Sequence, residues 1–176
     1  MIHAVWRSGR AGEEDGRVTD YARELRRLVG TRPLLLPRTS AVLVDEAWRL
    51  LLLDRADGSG WCLPGGLMEP GESFEETARR EVREEVGVEL GELTLLDVFS
   101  GAEYYYRFPH GDEIYTVTAA YLARVRSDAV LDVDPREARE ARFFDIDDVP
   151  EDVLATERPI IARYAAHLKS SRPAGE

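Results

Sequence analysis

The chain has 176 residues, of which 44% are hydrophobic and 9% aromatic, so one domain with a substantial core is expected. Its formal net charge of −11 argues against a protein that binds nucleic-acid phosphates or an anionic membrane, because such proteins need a basic face. Small anionic substrates are not excluded, because a bound divalent metal can reverse the local charge.

The first predicted elements are a flexible lead-in and a helix. Residues 1–17 are expected to be this flexible segment, because residues 7–17 are rich in Gly, Arg and Glu. The segment lacks the apolar core of a secretory signal, which favours a cytoplasmic protein. Residues 18–38 predict a helix over "YARELRRLVG", capped by Thr19 or Asp20 and stopped by Gly30, and then an extended connector. This helix either packs on its own domain or contacts a second copy in a homodimer.

The main domain is expected at residues 39–170. Two strands in "SAVLVDEAWRLLLLDR" are followed by a short strand "WCLP", a Gly-rich loop and a helix. Strands rich in β-branched and aromatic residues come next, in "LTLLDVFS", "AEYYYRF" and "EIYTVTAAYLARV", with a turn at "PHGD". A strand "ARFFDID" and an amphipathic helix "RPIIARYAAHLKS" precede a tail at 171–176. The order of strands and helices predicts an α/β sandwich with a mixed sheet.

The helix that follows the Gly-rich loop has an unfavourable charge pattern. A capping box at Ser73–Glu76 begins it and Gly87 ends it. Near its C-terminus, Glu81 and Glu85 share the side of the apolar stripe, and Glu84 lies at the edge. Carboxylates at this spacing repel one another and oppose the helix macrodipole.

Two interpretations fit this charge pattern. The first is a solvated face with Glu–Arg pairs one turn apart, which is common on surface helices. The second is a metal site, because hard divalent cations such as Mg²⁺ take oxygen ligands. The glycines of the preceding loop allow close backbone approach, so a carbonyl near Gly65 or Gly66 is a further candidate ligand. The charge pattern alone leaves both interpretations open.

The stretch from Gly66 to Val88 resembles the Nudix box, G-x5-E-x7-R-E-U-x-E-E-x-G-U, in which U is aliphatic. Its fixed positions all match, and here they are Gly66, Glu72, Arg80, Glu81, Val82, Glu84, Glu85, Gly87 and Val88. A motif of this length is far more specific than a lone Gly-rich loop. The chain thus resembles a bacterial MutT-like Nudix protein, which implies a Nudix-type α/β/α sandwich with a mixed β-sheet.

The resemblance implies a Mg²⁺-dependent pyrophosphohydrolase, with Mn²⁺ as a substitute. Such enzymes cleave a small nucleoside diphosphate derivative by attack of water on phosphorus, and neither nucleic acid nor membrane is expected as a partner. Glu81, Glu84 and Glu85 would bind the metal together with the Gly65 carbonyl, and Glu81 is the first choice for general base. The alternative is a catalytically silent Nudix-fold sensor, although such proteins usually lose box carboxylates.

The other box residues are implied to have supporting roles. Arg80 and Glu72 would pair and orient the helix that carries the metal ligands. Gly66 and Gly87 would be structural positions of the motif, in the loop and at the end of the helix. Cys62 excludes an internal disulfide because it is the only cysteine, and it is expected in the core.

Some Nudix members carry a further carboxylate six residues before an aromatic near the last strand. Glu137 lies six residues before Phe143 and is therefore a candidate ligand or base. A surface-loop glutamate is the alternative interpretation, and Glu140 competes for the role. Asp112 and Glu113 are further candidates.

The candidate substrate-binding residues are aromatic. Tyr105 lies where members that act on dinucleoside polyphosphates often carry a tyrosine, and base stacking on such a ring contributes about 1–3 kcal/mol. The same region lacks the proline that is common in members acting on ADP-ribose. Trp61 either packs in the core or lines the base pocket. His110 is expected in an exposed turn, with a phosphate contact as the alternative.

Overall fold

The computed structural model describes residues 21–107 and 111–171. Three α-helices lie within these residues, and they are α1 (Tyr21–Val29), α2 (Phe74–Val86) and α3 (Arg158–Ser171). The strands are β1 (Leu34–Val44), β2 (Leu50–Arg55), β3 (Trp61–Cys62), β4 (Thr94–Phe99), β5 (Tyr105–Arg107), β6 (Glu113–Arg124) and β7 (Ala138–Phe144). None of these helices is long and apolar enough to cross a bilayer.

The strands form one sheet in the order β3-β2-β1-β6-β4, with β5 added to β6 and β7 added to β2. The two central strands, β1 and β6, run parallel from the Leu34–Ile114 pair to the Val44–Arg124 pair. The other pairings are antiparallel. The predicted α/β class with a mixed sheet is therefore confirmed.

Helices cover opposite faces of the sheet, because side chains alternate along each strand. One face packs on Val82 and Val86 of α2 through the buried strand residues Ala41, Leu43, Leu51 and Leu53. The other face packs on Ile160, Tyr164 and Leu168 of α3 through Val42, Val44, Leu50 and Leu52. Each fully buried leucine or valine contributes about 1.5–3 kcal/mol. The result is the α/β/α sandwich that the sequence predicts.

Helix α1 packs on its own domain. Its Ala22 lies in a small buried cluster with Leu36, Leu67 and Ile114. Arg26 fixes the helix to the start of β6, since its Nε lies 3.1 Å from an Asp112 carboxylate oxygen and its Nη2 donates to the Glu113 carbonyl at 3.0 Å. A homodimer contact through this helix stays a prediction.

The observed element limits differ from the expected ones in two places. Strand β1 begins at Leu34, because β6 provides a parallel partner for every residue up to Val44. The last part of the connector expected at 18–38, residues 34–38, therefore belongs to strand β1. The stretch "AEYYYRF" is divided into a 3-10 turn at Ala102–Tyr104 and the short strand β5.

Some expectations concern residues that the structure does not describe. The flexible segment at 1–17 and the helix caps at Thr19 and Asp20 lie outside the described residues, as does His110. The tail expected at 171–176 is likewise outside them from residue 172 onward, since α3 extends to position 171.

Candidate metal centre

Both ends of α2 are fixed by local hydrogen bonds. The Ser73 hydroxyl accepts from the Glu76 N–H at 3.2 Å, and a Glu76 carboxylate oxygen accepts from the Ser73 N–H at 2.7 Å. At the other end Gly87 is left-handed, with φ 70°, and its N–H donates to the Arg83 carbonyl at 3.1 Å. These caps, together with the buried Val82, set the position of the acidic residues on the helix.

Glu85 is a buried carboxylate, with only 5% of the residue exposed. Its Oε2 accepts a hydrogen bond from the Gly65 N–H at 2.8 Å. Burial raises the pKa of Glu85 well above its ordinary value, and the negative charges of Glu81 and Glu137 act in the same direction. The Gly65 N–H and the charge of Arg38 act in the opposite direction. The fold therefore concentrates negative charge around one buried group.

The loop beside these carboxylates is held against β1. The Thr39 N–H donates to the Gly66 carbonyl at 2.9 Å, and the Ala41 N–H donates to the Pro64 carbonyl at 2.7 Å. Gly65 has φ 145°, and a Cβ there would lie 2.2 Å from the Thr39 oxygen. A Cβ on Gly66 would lie 2.4 Å from the carboxyl carbon of Glu81. Both glycines are required for this close approach.

Arg80 connects the helix to the loop. Its Nε and Nη2 donate to the two carboxylate oxygens of Glu72 at 2.6 and 2.9 Å, and Nη2 also donates to the Leu67 carbonyl at 3.0 Å. Its Nη1 donates to Glu81 at 2.6 Å and lies 3.6 Å from a Glu84 oxygen. The expected Arg80–Glu72 pair is therefore present, and Arg80 is also a counter-ion for two of the acidic candidates.

The donor atoms suit a hard divalent cation. Glu81, Glu84 and Glu85 offer only oxygen, and the absence of a Cβ at Gly66 lets the Glu81 carboxylate lie against the loop. Across residues 21–107 and 111–171, no three acidic, His or Cys side chains are already arranged to hold a metal ion. Arg80 is bound to one carboxylate oxygen of Glu81.

Glu72 provides a pH-dependent test of this frame. The Arg80 hydrogen bonds lower the pKa of Glu72 to about 2, while burial opposes the shift and the Glu69 N–H and Thr77 hydroxyl add to it. A lowered pKa means that the stabilisation is present above the unfolded value of 4.5 and is lost as the pH falls towards 2. We expect Glu72→Gln to lower the free energy of unfolding by about 1 kcal/mol at pH 7, allowing for solvent screening.

Urea unfolding of wild type and Glu72→Gln at several pH values checks this expectation. The difference between the two proteins should shrink as the pH falls from 4.5 towards 2. A difference that stayed constant over this range would show that the ion pair is not its source.

Glu137 lies closer to the acidic helix than its competitor does. Its N–H donates to the Asp134 carbonyl at 2.9 Å, and the Asp134 N–H donates to the Glu85 carbonyl at 3.1 Å. Its charge also raises the pKa of Glu85. Glu140, by contrast, is an exposed residue of β7 opposite Asp54. The structure therefore brings Glu137 near the box carboxylates.

The two remaining acidic candidates belong to the region around α1. Asp112 is buried and forms the ion pair with Arg26. Glu113 lies 4.0 Å from Arg107, and its carbonyl accepts from Arg26. These contacts give both residues a structural role in anchoring α1 and the β5–β6 pair.

The aromatic candidates have different environments. Tyr105 is 38% exposed, and its ring centroid lies 5.1 Å from that of Tyr115. Trp61 is only 8% exposed and packs edge-to-face on Phe144 at 4.8 Å, which favours its packing role.

Cys62 is buried, in agreement with the core position expected for it. Burial raises the pKa of its thiol to about 12.

One buried ionic contact was not anticipated from the sequence. Arg38 on β1 and Glu157, directly before α3, are 4% and 1% exposed, and their side chains lie 3.3 Å apart. The signal that could have indicated it is a charged residue inside the otherwise apolar strand "LLLPRTSAVLV".

The chain is similar to known proteins in sequence. A curated relative from Methanocaldococcus jannaschii, an ADP-ribose pyrophosphatase, is 30% identical over 112 residues, which are 62% of each chain. The asymmetrical bis(5'-nucleosyl)-tetraphosphatase of Sus scrofa is 32% identical over 118 residues, covering 66% of this chain and 73% of the relative. The chain therefore spans less than two thirds of the length of the Methanocaldococcus jannaschii relative and more than two thirds of the length of the Sus scrofa relative.

The fold has matches among solved structures. The crystal structure of a MutT NUDIX hydrolase from Burkholderia pseudomallei aligns with a TM-score of 0.62 and 27% identity, covering 74% of this chain and 98% of that one. The family model described as NUDIX domain matches residues 34–164, from the start of β1 into α3. This match covers well over half of the sequence, and the chain belongs to the Nudix family.

Proposed function

We propose that this protein is a Mg²⁺-dependent hydrolase of phosphoric anhydride bonds in nucleoside diphosphate derivatives, with Mn²⁺ as a substitute. The observation that carries the proposal is the environment of Glu85. The Glu85 carboxylate is buried, and the negative charges of Glu81 and Glu137 act on it. Burying anions is costly unless a cation compensates their charge. A hard divalent cation would provide that compensation and is the usual companion of substrate phosphates.

The proposed roles follow from these positions. Glu81, Glu84 and Glu85 would hold the metal together with the Gly65 carbonyl. The metal would neutralise charge on the phosphates and lower the pKa of a bound water. Glu81 would accept the proton of the attacking water, and its side chain keeps 15% of its surface exposed. Arg80 holds the helix and the loop together through its hydrogen bonds to Glu72 and the Leu67 carbonyl.

Glu137 is proposed to assist as a further ligand or base, and Glu140 is its matched control. Glu137→Gln should lower kcat by about tenfold or more, because a charged group near the reacting centre is removed. Glu140→Gln should leave kcat within about twofold, since that residue lies on the exposed side of β7. Steady-state kinetics with saturating Mg²⁺ measures both. Equal effects of the two changes would remove Glu137 from the proposed site.

The substrate is proposed to be a small nucleotide whose base stacks on Tyr105. Support comes from the exposed Tyr105 ring beside Tyr115, and from similarity to an ADP-ribose pyrophosphatase and a bis(5'-nucleosyl)-tetraphosphatase. A panel of nucleoside triphosphates, oxidised nucleotides, ADP-ribose, dinucleoside polyphosphates and nucleotide sugars tests the proposal. Release of phosphate or pyrophosphate with Mg²⁺ is expected for at least one class.

The alternative is a nucleotide-binding module without turnover. The ion pair of Arg80 with Glu81 is the observation that favours it, because Arg80 already neutralises part of the acidic cluster. The complete set of box carboxylates favours the enzyme. Binding of a nucleotide with no hydrolysis in either Mg²⁺ or Mn²⁺ would support the alternative and contradict the proposed activity.

A further inference from the structure

The buried contact between Arg38 and Glu157 joins two distant parts of the chain. An Arg38 Nη2 lies 3.3 Å from one carboxylate oxygen of Glu157, and the Ser40 hydroxyl donates to the other oxygen at 3.2 Å. Ser40 is fully buried, and the two charged residues are almost so. We call these three residues the β1–α3 link.

Fold stability does not readily account for this link. Burying two charges removes their hydration, and well-packed apolar residues in their place are often as stable or more stable. The link is also incompletely satisfied, since the buried Arg38 Nε has no hydrogen-bond partner among the described residues. A buried polar network that serves stability alone normally satisfies its donors. The position of the link indicates another role.

The β1 half of the link supports the loop of the candidate metal centre. The Pro37 carbonyl accepts from the Met68 N–H at 3.1 Å, the Thr39 N–H donates to the Gly66 carbonyl, and Arg38 itself bridges to Leu67. A Cβ on Gly65 would lie 3.0 Å from the Ser40 Cα, so loop and strand are in close contact. A displacement of β1 at these positions would therefore move the loop.

The α3 half of the link holds the Arg38 side chain in place through Glu157. Glu157 precedes the first residue of α3, and its carbonyl accepts the Ile161 N–H at 3.0 Å, so its backbone is part of the helix start. The ion pair therefore joins the part of β1 that supports the loop to the start of α3.

We propose that Arg38 and Glu157 are positioning residues for the metal centre. Glu157 anchors Arg38 and Ser40 of β1, and the anchored strand holds the Gly65–Gly66 loop in place beside the acidic residues of α2. This inference rests on the proposed function, because it assumes a metal ion at that centre. The two residues act through the loop and touch neither metal nor substrate.

The test is a charge-neutral double variant, Arg38→Met with Glu157→Leu. It removes one positive and one negative charge, so the net charge of the protein is unchanged. Mn²⁺ affinity, measured by electron paramagnetic resonance on the metal alone, should weaken about tenfold, the size of effect seen when groups supporting metal ligands are removed. With Mg²⁺, kcat should fall by a similar factor, while KM for the nucleotide stays within about twofold.

A second ion pair of α3 provides the matched control. Arg163 lies 2.9 Å from Asp97 of β4, so this pair also joins α3 to the sheet but is surface-exposed. Arg163→Met with Asp97→Asn should leave Mn²⁺ affinity unchanged. If the β1–α3 double variant does not fold, Ser40→Ala replaces it, with an expected weakening of about two- to threefold.

The outcomes separate the inference from the proposed function. Wild-type Mn²⁺ affinity in the folded double variant, or in Ser40→Ala when that variant is used, would overturn the positioning role and leave the proposed function intact. Equal weakening in the Arg163–Asp97 control would also overturn it, since any loosening of α3 would then suffice. Failure of the wild type to bind Mn²⁺ would overturn both proposals.

Discussion

Replacement of Glu85 by glutamine is expected to stabilise the metal-free protein and to abolish most metal-dependent turnover. Glutamine keeps the shape and can still accept the Gly65 hydrogen bond, but it carries no charge. Burial raises the pKa of Glu85, so its contribution to stability is fully present below 4.5 and is lost as the pH rises through the folded value. Glu85→Gln avoids that loss and should raise Tm at pH 8 by about 2–4 °C in chelator.

The same change should remove the effect of the metal ion. Wild-type Tm should rise on addition of Mg²⁺, because a ligand that binds the native state stabilises it. Glu85→Gln should show little rise, and kcat should fall by about 10²–10³-fold, as when one preorganised electrostatic group is removed. Glu89→Gln, at an exposed position just beyond the box, is the control and should behave as wild type. A Glu85→Gln protein with wild-type activity would contradict the proposed role.

Alanine at either loop glycine should impair the metal centre, but only the change at Gly65 should also lower stability. At Gly65, φ is 145° and the added Cβ would meet the Thr39 backbone oxygen at 2.2 Å, so the backbone itself must move. Strain of this kind costs about 1–3 kcal/mol. We expect Gly65→Ala to lower Tm by about 5 °C or more and to weaken metal binding as the loop shifts.

At Gly66 the added Cβ would meet the carboxylate of Glu81, a flexible side chain that can turn away. Tm should therefore change little, while kcat should fall at least about tenfold because a proposed ligand is displaced. Gly91→Ala is the control, since its Cβ would meet no atom within 4 Å. Circular dichroism melting and kinetics on the three variants measure these effects. Equal losses of Tm at positions 65 and 66 would count against the geometry described above.

The sequence predicted the parts of this protein that depend on local patterns. The capping box at Ser73–Glu76 and the stop at Gly87 are local signals, and both were confirmed with their hydrogen bonds. The Arg80–Glu72 pair follows from a fixed spacing on one helix and its loop. The mixed sheet followed from the order of strands and helices along the chain.

Features that depend on long-range contacts were missed or stayed open. The extension of β1 to Leu34 depends on pairing with β6, which lies far away in the sequence, so residues 34–38 were expected to belong to a connector. The link between Arg38 and Glu157 crosses an even longer stretch of chain. The binding of Arg80 to Glu81 could not be inferred from spacing, because neighbours in sequence do not normally face each other on a helix.

The most direct test of the proposed function is hydrolysis in ¹⁸O-labelled water, with the best substrate of the nucleotide panel. Wild type with Mg²⁺ should yield a phosphate product that contains one ¹⁸O atom, since water attacks phosphorus. Chelator, or the Glu85→Gln change, should reduce formation of the labelled product by about 10²-fold or more. Product formation that was equally fast with chelator, or with glutamine at position 85, would contradict a metal-dependent reaction at these carboxylates.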